Sequence, residues 1–108
     1  MKTIYVRDFT KYPGARLRKL GPGSGEEFRD DFLIPQLDGK NIQINFDGTI
    51  GYGSSFLEEA FGGLIRKGID KEIVLHLVDT AISDEDPLLK KELLIYVTEA
   101  IAVNKKGK

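Results

Sequence analysis

The side chains of this chain that could do chemistry are two adjacent serines, a run of glycines and a few titratable groups. Ser54 and Ser55 stand where an alternating segment gives way to a helical one. A hydroxyl at an exposed helix start can accept a phosphoryl group, which adds about −1.5 to −2 charges at the end of the helix that favours anions. Ser55 and Glu58 also have the spacing of a capping box, in which the hydroxyl bonds an amide of the first turn. From the residues alone, a cap and a phosphorylation site both remain open.

The glycine run at residues 21–25 precedes a predicted helix and could present its amides to an anion. Neither the dinucleotide fingerprint nor a Walker ending is present, and Glu26 and Glu27 place carboxylates where an anion would approach. A loop with a helix cap is therefore the simpler interpretation. The alternative is a small anion-binding or nucleotide-binding domain, or an enzyme, with these ligand contacts: Gly21, Gly23, Ser24, Gly25 and Asp47.

The residue types of the chain give little reason to predict a metal site or an acid–base catalytic site. The chain has no cysteine and one histidine, His76, so cysteine-ligated zinc and multi-histidine sites are excluded. His76 lies between two leucines and is interpreted as a bonded interior residue. The acidic run at 84–86 could bind a cation weakly, but it also suits a helix entrance. We predict no metal, no cofactor and no catalytic residue.

Composition limits the class of protein further. The chain has 108 residues, 41% of them hydrophobic, which suits one domain with one core. Its formal charge of −1 arises from 16 basic and 17 acidic residues, so nucleic acid is not an expected partner. No apolar run approaches the ~18 residues of a membrane span, and the N-terminus lacks the core of a signal peptide. The sequence predicts a cytoplasmic protein without a membrane partner.

The elements that position these residues follow from hydrophobic periodicity. Strands are predicted at residues 3–8 and 41–46 by alternation, and at 72–79 by a continuous apolar run typical of a sheet interior. A short antiparallel strand at 16–20 is also considered. In the second strand, these side chains should face the core: Ile42, Ile44 and Phe46.

Three helices complete the prediction. The first begins near Ser24, capped with Glu27, and ends at Pro35. The second covers residues 55–67 and the third 87–103. Together they predict an α/β domain over residues 1–104, with a mostly parallel or mixed sheet of three or four strands and about three helices, followed by a disordered basic tail at 105–108.

Two motifs carry a family resemblance. The segments GPGSGEEFR at 21–29 and SSFLEEAFGGL at 54–64 resemble the bacterial STAS-like domain family of unknown function, and more broadly the STAS domains of anti-sigma-factor antagonists. The resemblance spans about residues 4–100. It implies a STAS-like fold and a non-enzymatic regulatory module. The implied partner is a histidine-kinase-type ATPase, which phosphorylates a serine at the start of the second helix.

Carried onto this sequence, the resemblance makes Ser55 the first candidate for phosphorylation and Ser54 the second. The antagonists have Asp-Ser-Ser-Gly, whereas this chain has Gly53 before the serines and Phe56 after them. The expected partner-binding surface runs along the same helix and consists of Tyr52, Phe56, Glu58, Glu59, Gly62 and Gly63. The oligomeric state is left open.

Overall fold

Alternating apolar residues form the two strands of the fold, as their periodicity predicts. The computed structural model describes residues 1–106. Strand β1 (Lys2–Tyr5) and strand β2 (Ile42–Asn45) pair in parallel, with Ile4 opposite Ile44. Ile42, Ile44 and Phe46 are buried, which confirms the predicted core face. β1 is shorter than predicted, because the chain turns at Val6 into helix α1 (Val6–Phe9).

The predicted sheet of three or four strands is wrong, although the α/β class is confirmed. Within residues 1–106 the sheet has two strands, and a parallel bridge between Asn45 and Ile82 extends it on the β2 side. Two backbone hydrogen bonds hold that bridge: Ile82 N donates to the Ile44 carbonyl at 2.9 Å, and Phe46 N donates to the Ile82 carbonyl at 2.8 Å. The chain reaches the sheet edge at Ile82 without forming a further strand.

The predicted interior strand at 72–79 is instead helix α5 (Lys71–Asp79). Asp70 caps it, since its carboxylate accepts from the Glu72 amide at 3.0 Å. A continuous apolar run is compatible with either a buried strand or a helix. Here the fully buried positions recur at i, i+3 and i+4, which is helical spacing. They are Val74, Leu77 and Val78.

The possible antiparallel strand at 16–20 is also wrong. Residues Arg18–Leu20 form a 3₁₀ turn, and the segment before it bonds to the next helix rather than to β1. Gly25 N donates to the Ala15 carbonyl at 2.9 Å and Glu26 N to the Arg16 carbonyl at 3.0 Å. Those bonds use backbone groups that a hairpin with β1 would need.

The first long helical run begins as predicted at Ser24. The Ser24 hydroxyl accepts from the Glu27 amide at 3.0 Å, which confirms the cap. The run comprises α2 (Gly25–Glu27), a π-helical stretch (Phe28–Leu33) and a 3₁₀ turn (Ile34–Gln36). The predicted reason for its end is wrong, because Ile34, directly before Pro35, is itself helical with φ −55° and ψ −43°. Pro35 lies in the first turn of the 3₁₀ segment, where its missing amide hydrogen costs nothing, and the chain becomes extended at Leu37.

The second helical run is confirmed in place and length. It comprises α3 (Ser54–Leu57), a π-helical stretch (Glu58–Gly62) and α4 (Gly63–Arg66). The two π-helical stretches contact each other, and Arg29 of the first donates to the Glu59 carbonyl of the second at 3.0 Å. The two helical runs are thus joined directly through their π-helical stretches.

The third helix, α6 (Leu89–Lys106), packs against the second run and against α5. Its core side chains follow the predicted helical spacing: Leu89, Leu93, Val97 and Ala100. Of the predicted tail at 105–108, residues 105 and 106 continue the helix, and residues 107 and 108 lie outside the described part of the chain. No helix within residues 1–106 combines the length and the apolar character needed to cross a membrane.

Candidate functional site

Hydrogen bonds to the carboxylates of Asp47 and Glu85 hold the start of the loop that joins β2 to α3. Asp47 Oδ2 accepts from the Asp84 amide at 3.2 Å, and its Oδ1 accepts from the Glu85 amide at 3.0 Å. In return, Glu85 Oε1 accepts from the Gly48 amide at 2.7 Å. Both oxygens of Asp47 thus have donors within the chain. Asp47, a ligand contact in the alternative hypothesis, joins two loops here.

Tyr52 holds the far end of the same loop. Its hydroxyl donates to the Phe46 carbonyl at 2.7 Å, and its ring packs edge-on against the Phe46 ring with centroids 5.6 Å apart. Burial of the phenol raises the pKa of Tyr52 well above its ordinary value. Tyr52 is therefore half-buried and anchors the loop, so that a partner would reach only part of its ring.

A second loop runs beside this one and creates an exposed apolar ridge. Ile50 N donates to the Lys11 carbonyl and Gly53 N to the Pro13 carbonyl, both at 2.9 Å. The side chains of Tyr12 and Ile50 are 74% and 77% exposed. We call these two side chains the loop ridge. Beside it lies an open groove of about 390 Å³, lined by Tyr12, Pro13, Gly14, Ile50, Gly51, Tyr52 and Gly53.

The two serines begin helix α3 without capping it. The cap position is Gly53, and no side chain caps this helix start, so the predicted capping box of Ser55 and Glu58 is wrong. A cap at Ser55 would make Phe56 the first helical residue, whereas the helix begins two residues earlier, at Ser54. Both serines are exposed. Their hydroxyls are therefore not committed to the helix backbone, unlike that of the fully buried Ser24.

The surroundings of the two serines differ. Ser54 lies against the hydroxyl of Tyr96 on α6, and that hydroxyl donates to the Glu92 carboxylate at 2.6 Å. The hydrogen bond to Glu92 raises the pKa of Tyr96. A phosphate on Ser54 would thus approach a carboxylate. The Ser55 side chain has no hydrogen-bond partner among the described residues.

Three residues of the expected partner-binding surface lie in the interior, which corrects that part of the prediction. Phe56 is completely buried. Gly62 and Gly63 are buried as well, and atoms of the same chain cover them. A Cβ on Gly62 would lie 2.5 Å from the Glu58 carboxylate, and a Cβ on Gly63 would collide with the Arg29 guanidinium. The glycine pair permits an internal close approach rather than an external one.

Glu58 and Glu59 are partly exposed and paired with arginines, two from earlier segments (Arg16 and Arg29) and one, Arg66, from the end of the same helical run. Glu58 accepts from Arg16 at 2.5 Å and from Arg66 at 2.7 Å, and Arg29 donates to Glu59 at 2.7 Å. The hydrogen bond from Arg66 lowers the pKa of Glu58, against the opposing effect of burial. Sequence reasoning missed these arginines. The signal for them was the glycine pair in the middle of a helix, which indicates that another group approaches closely.

The glycine loop at 21–25 offers no free amide at its three glycines. Gly21 N donates to the Arg18 carbonyl at 3.1 Å, Gly23 N to Glu27 Oε1 at 3.2 Å and Gly25 N to the Ala15 carbonyl. An anion would have to displace the Glu27 carboxylate and the backbone acceptors. The arrangement suits a closed turn that ends in the Ser24 cap.

His76 lies on α5 rather than in a sheet. It is half-buried, and its Nε2 atom is enclosed without a hydrogen-bond partner among the described residues. Within residues 1–106, no three side chains of histidine, cysteine, aspartate or glutamate are grouped so that they could hold a metal ion.

Comparison with known proteins agrees with the resemblance of the two motifs. Neither curated proteins nor solved structures gave a significant match. The family model described as "STAS-like domain of unknown function (DUF4325)" matches residues 24–87, from the capped helix start through the serine pair to the entrance of α6. Because that match covers more than half of the chain, the protein belongs to this family of STAS-like domains.

Proposed function

We propose that this protein is a non-enzymatic regulatory module of the cytoplasm, which binds a partner protein through the loop ridge and the serine pair. The observation that carries the proposal is the juxtaposition at one end of the second helical run. Gly53 lines the groove beside the ridge and is followed directly by two exposed hydroxyls. Membership in a STAS-like family supports an interaction module over an enzyme.

The loop ridge has the physical properties of a binding anchor. Tyr12 and Ile50 expose large apolar side chains, and aromatic residues are enriched among those that dominate interface energies. Backbone hydrogen bonds already hold both loops, so ordering them costs little entropy on binding. This favours a preformed patch that a partner covers.

The proposed partner is a histidine-kinase-type ATPase, and Ser55 is the proposed phosphorylation site. Ser55 is exposed and free of the capping role, whereas Ser54 faces Tyr96 and Glu92. Phe56 replaces the small residue of the antagonist motif, but its buried ring leaves the approach to Ser55 open. Phosphate at Ser55 would add about −1.5 to −2 charges beside the ridge and would weaken binding to an acidic surface.

The ridge is tested by measuring binding to an ATPase encoded beside this protein, with calorimetry on matched variants. Ile50→Asp places a charge in the ridge, and we expect it to weaken binding about tenfold or more. Leu20→Asp is the control, since Leu20 is exposed to a similar degree at 65% and lies outside the groove. Equal affinities for the two variants would show that the partner does not use the ridge.

The switch is tested separately by incubation with the ATPase and ATP, followed by phosphosite mass spectrometry. We expect phosphate on Ser55 in the wild type, none at that position in Ser55→Ala, and no loss in Ser54→Ala. Ser55→Glu should change partner affinity. If neither serine is modified and Ser55→Glu binds like the wild type, the phosphorylation switch is wrong even where the ridge binds.

A further inference from the structure

Helix α6 carries a stripe of exposed residues on the face opposite its core residues. Its central residue, Ile95, is 54% exposed, and Leu88, directly before the helix, is 69% exposed. The stripe residues are spaced by three or four positions and therefore share one face. All of them are exposed. We define the α6 stripe as Leu88, Lys91, Ile95, Glu99 and Ala102.

The charges of the α6 stripe are symmetric about its centre. Lys91 lies four residues before Ile95, and Glu99 lies four residues after it. The positions three and four residues away from each charge are uncharged, so neither has a partner along the helix. The ion pairs found among the described residues include neither side chain. Two opposite charges thus flank an exposed apolar centre.

We propose that the α6 stripe binds a second copy of this chain, with the two helices antiparallel and related by a two-fold axis at Ile95. In that register Ile95 faces its own copy, and Lys91 of each chain faces Glu99 of the other. Leu88 faces Ala102 in the same way. A two-fold interface requires one patch to be complementary to itself, and this sequence meets that condition.

The charge pattern also selects the orientation. A parallel pair in register would place Lys91 opposite Lys91 and Glu99 opposite Glu99, and like charges at short range repel. The antiparallel pair replaces both repulsions by attractions. The contact goes beyond the proposed partner site, since it uses α6 and leaves the loop ridge out.

Charge exchange tests the proposal by sedimentation equilibrium at low salt. We expect a dimer in the wild type, and Lys91→Glu and Glu99→Lys should each raise the dissociation constant about tenfold. The double variant Lys91→Glu/Glu99→Lys should restore dimerisation, because the pairs re-form with exchanged signs. Lys40→Glu changes the net charge equally at an exposed loop position and should have no effect. A monomeric wild type at about 1 mM, or no restoration in the double variant, would overturn the proposal.

Disulfide trapping tests the axis independently, because the chain contains no cysteine. Packed helix axes lie about 8–10 Å apart, with Cα atoms about 2.3 Å from each axis. Residues facing each other on a two-fold axis therefore have Cα atoms about 3.4–5.4 Å apart, a range that overlaps the ~4.4–6.8 Å that a disulfide spans. Ile95→Cys should cross-link into dimers under mild oxidation, whereas Lys40→Cys should not. Equal cross-linking of both variants would count against the α6 axis.

Discussion

Arg29 is the residue whose removal tests the internal architecture most directly. Its side chain is 5% exposed and donates through Nε to Asp30 at 2.8 Å and through Nη1 to the Glu59 carboxylate at 2.7 Å. It also bonds the Glu59 carbonyl and covers Gly63. Arg29→Ala should therefore weaken the contact between the two π-helical stretches next to Glu59.

The magnitude follows from what the substitution leaves behind. Removing one partner of a fully buried ion pair costs about 3–5 kcal/mol. The carboxylates left behind, Asp30 and Glu59, have side chains 23% and 15% exposed, so water solvates them in part and the cost is smaller. Other cations reduce that cost here, since Arg16 lies 3.2 Å from Glu59 and Lys67 lies 3.7 Å from Asp30. We expect a loss of about 2–4 kcal/mol in the free energy of unfolding. With a urea dependence of about 1.5 kcal/mol/M, the midpoint should fall by about 1.3–2.7 M.

Urea unfolding followed by circular dichroism measures this loss, and Arg18→Ala is the matched control. Arg18 also makes a two-bond contact with an aspartate, at 2.6 and 2.7 Å to Asp31, but both side chains are largely exposed. Its removal should cost only a small fraction of the Arg29 loss. Arg29→Lys keeps the charge without the fork geometry and should fall between the two. Equal midpoints for Arg29→Ala and Arg18→Ala would refute the assignment of stability to burial.

Two further expectations concern a glycine and acid sensitivity. Gly25→Ala should lower the free energy of unfolding by about 1–3 kcal/mol, because the added Cβ would lie 2.5 Å from the Phe56 carbonyl oxygen. Gly14 has open space around it, so Gly14→Ala should unfold like the wild type in the same urea titration. The hydrogen bond from Arg66 lowers the pKa of Glu58, so the unfolded chain binds this proton at a higher pH than the folded one. The stabilisation from ionised Glu58 should be complete above the ordinary glutamate pKa of about 4.3, and it should be lost as the pH falls from there through the pKa of the folded state. Arg66→Ala should make the free energy of unfolding depend less steeply on pH in this range. An unchanged pH dependence would contradict the role of Arg66.

Local sequence patterns were sufficient to predict those strands and helices that bury one face against the core. The alternation at Ile42, Ile44 and Phe46 determined β2, and the Ser24 to Glu27 spacing determined the first helix start. The helical spacing of α6 determined its core face. In each case the pattern that carries the prediction lies within one element, although β2 itself pairs with the distant β1. The two motifs at 21–29 and 54–64 likewise indicated the family that the match over residues 24–87 established.

The apolar run at 72–79 shows where local pattern fails. Its composition fits a buried strand as well as a helix, and the outcome depends on the Asp70 cap and on which side chains reach the core. Ser55 is a second case. Its spacing to Glu58 fits a capping box, but Arg16 and Arg66 bind that glutamate instead.

The sequence by itself determined the α/β class, the family and the position of the serine pair at a helix start. Only the tertiary structure decided that Ser55 is free of capping, that Phe56 and the glycine pair are internal, and that Tyr12 stands beside Ile50. These features depend on contacts between residues about 30 to 45 positions apart, such as Arg29 with Glu59 and Arg16 with Glu58. Such contacts form only when the packed core brings separate helices and loops together, and no short-range pattern specifies them.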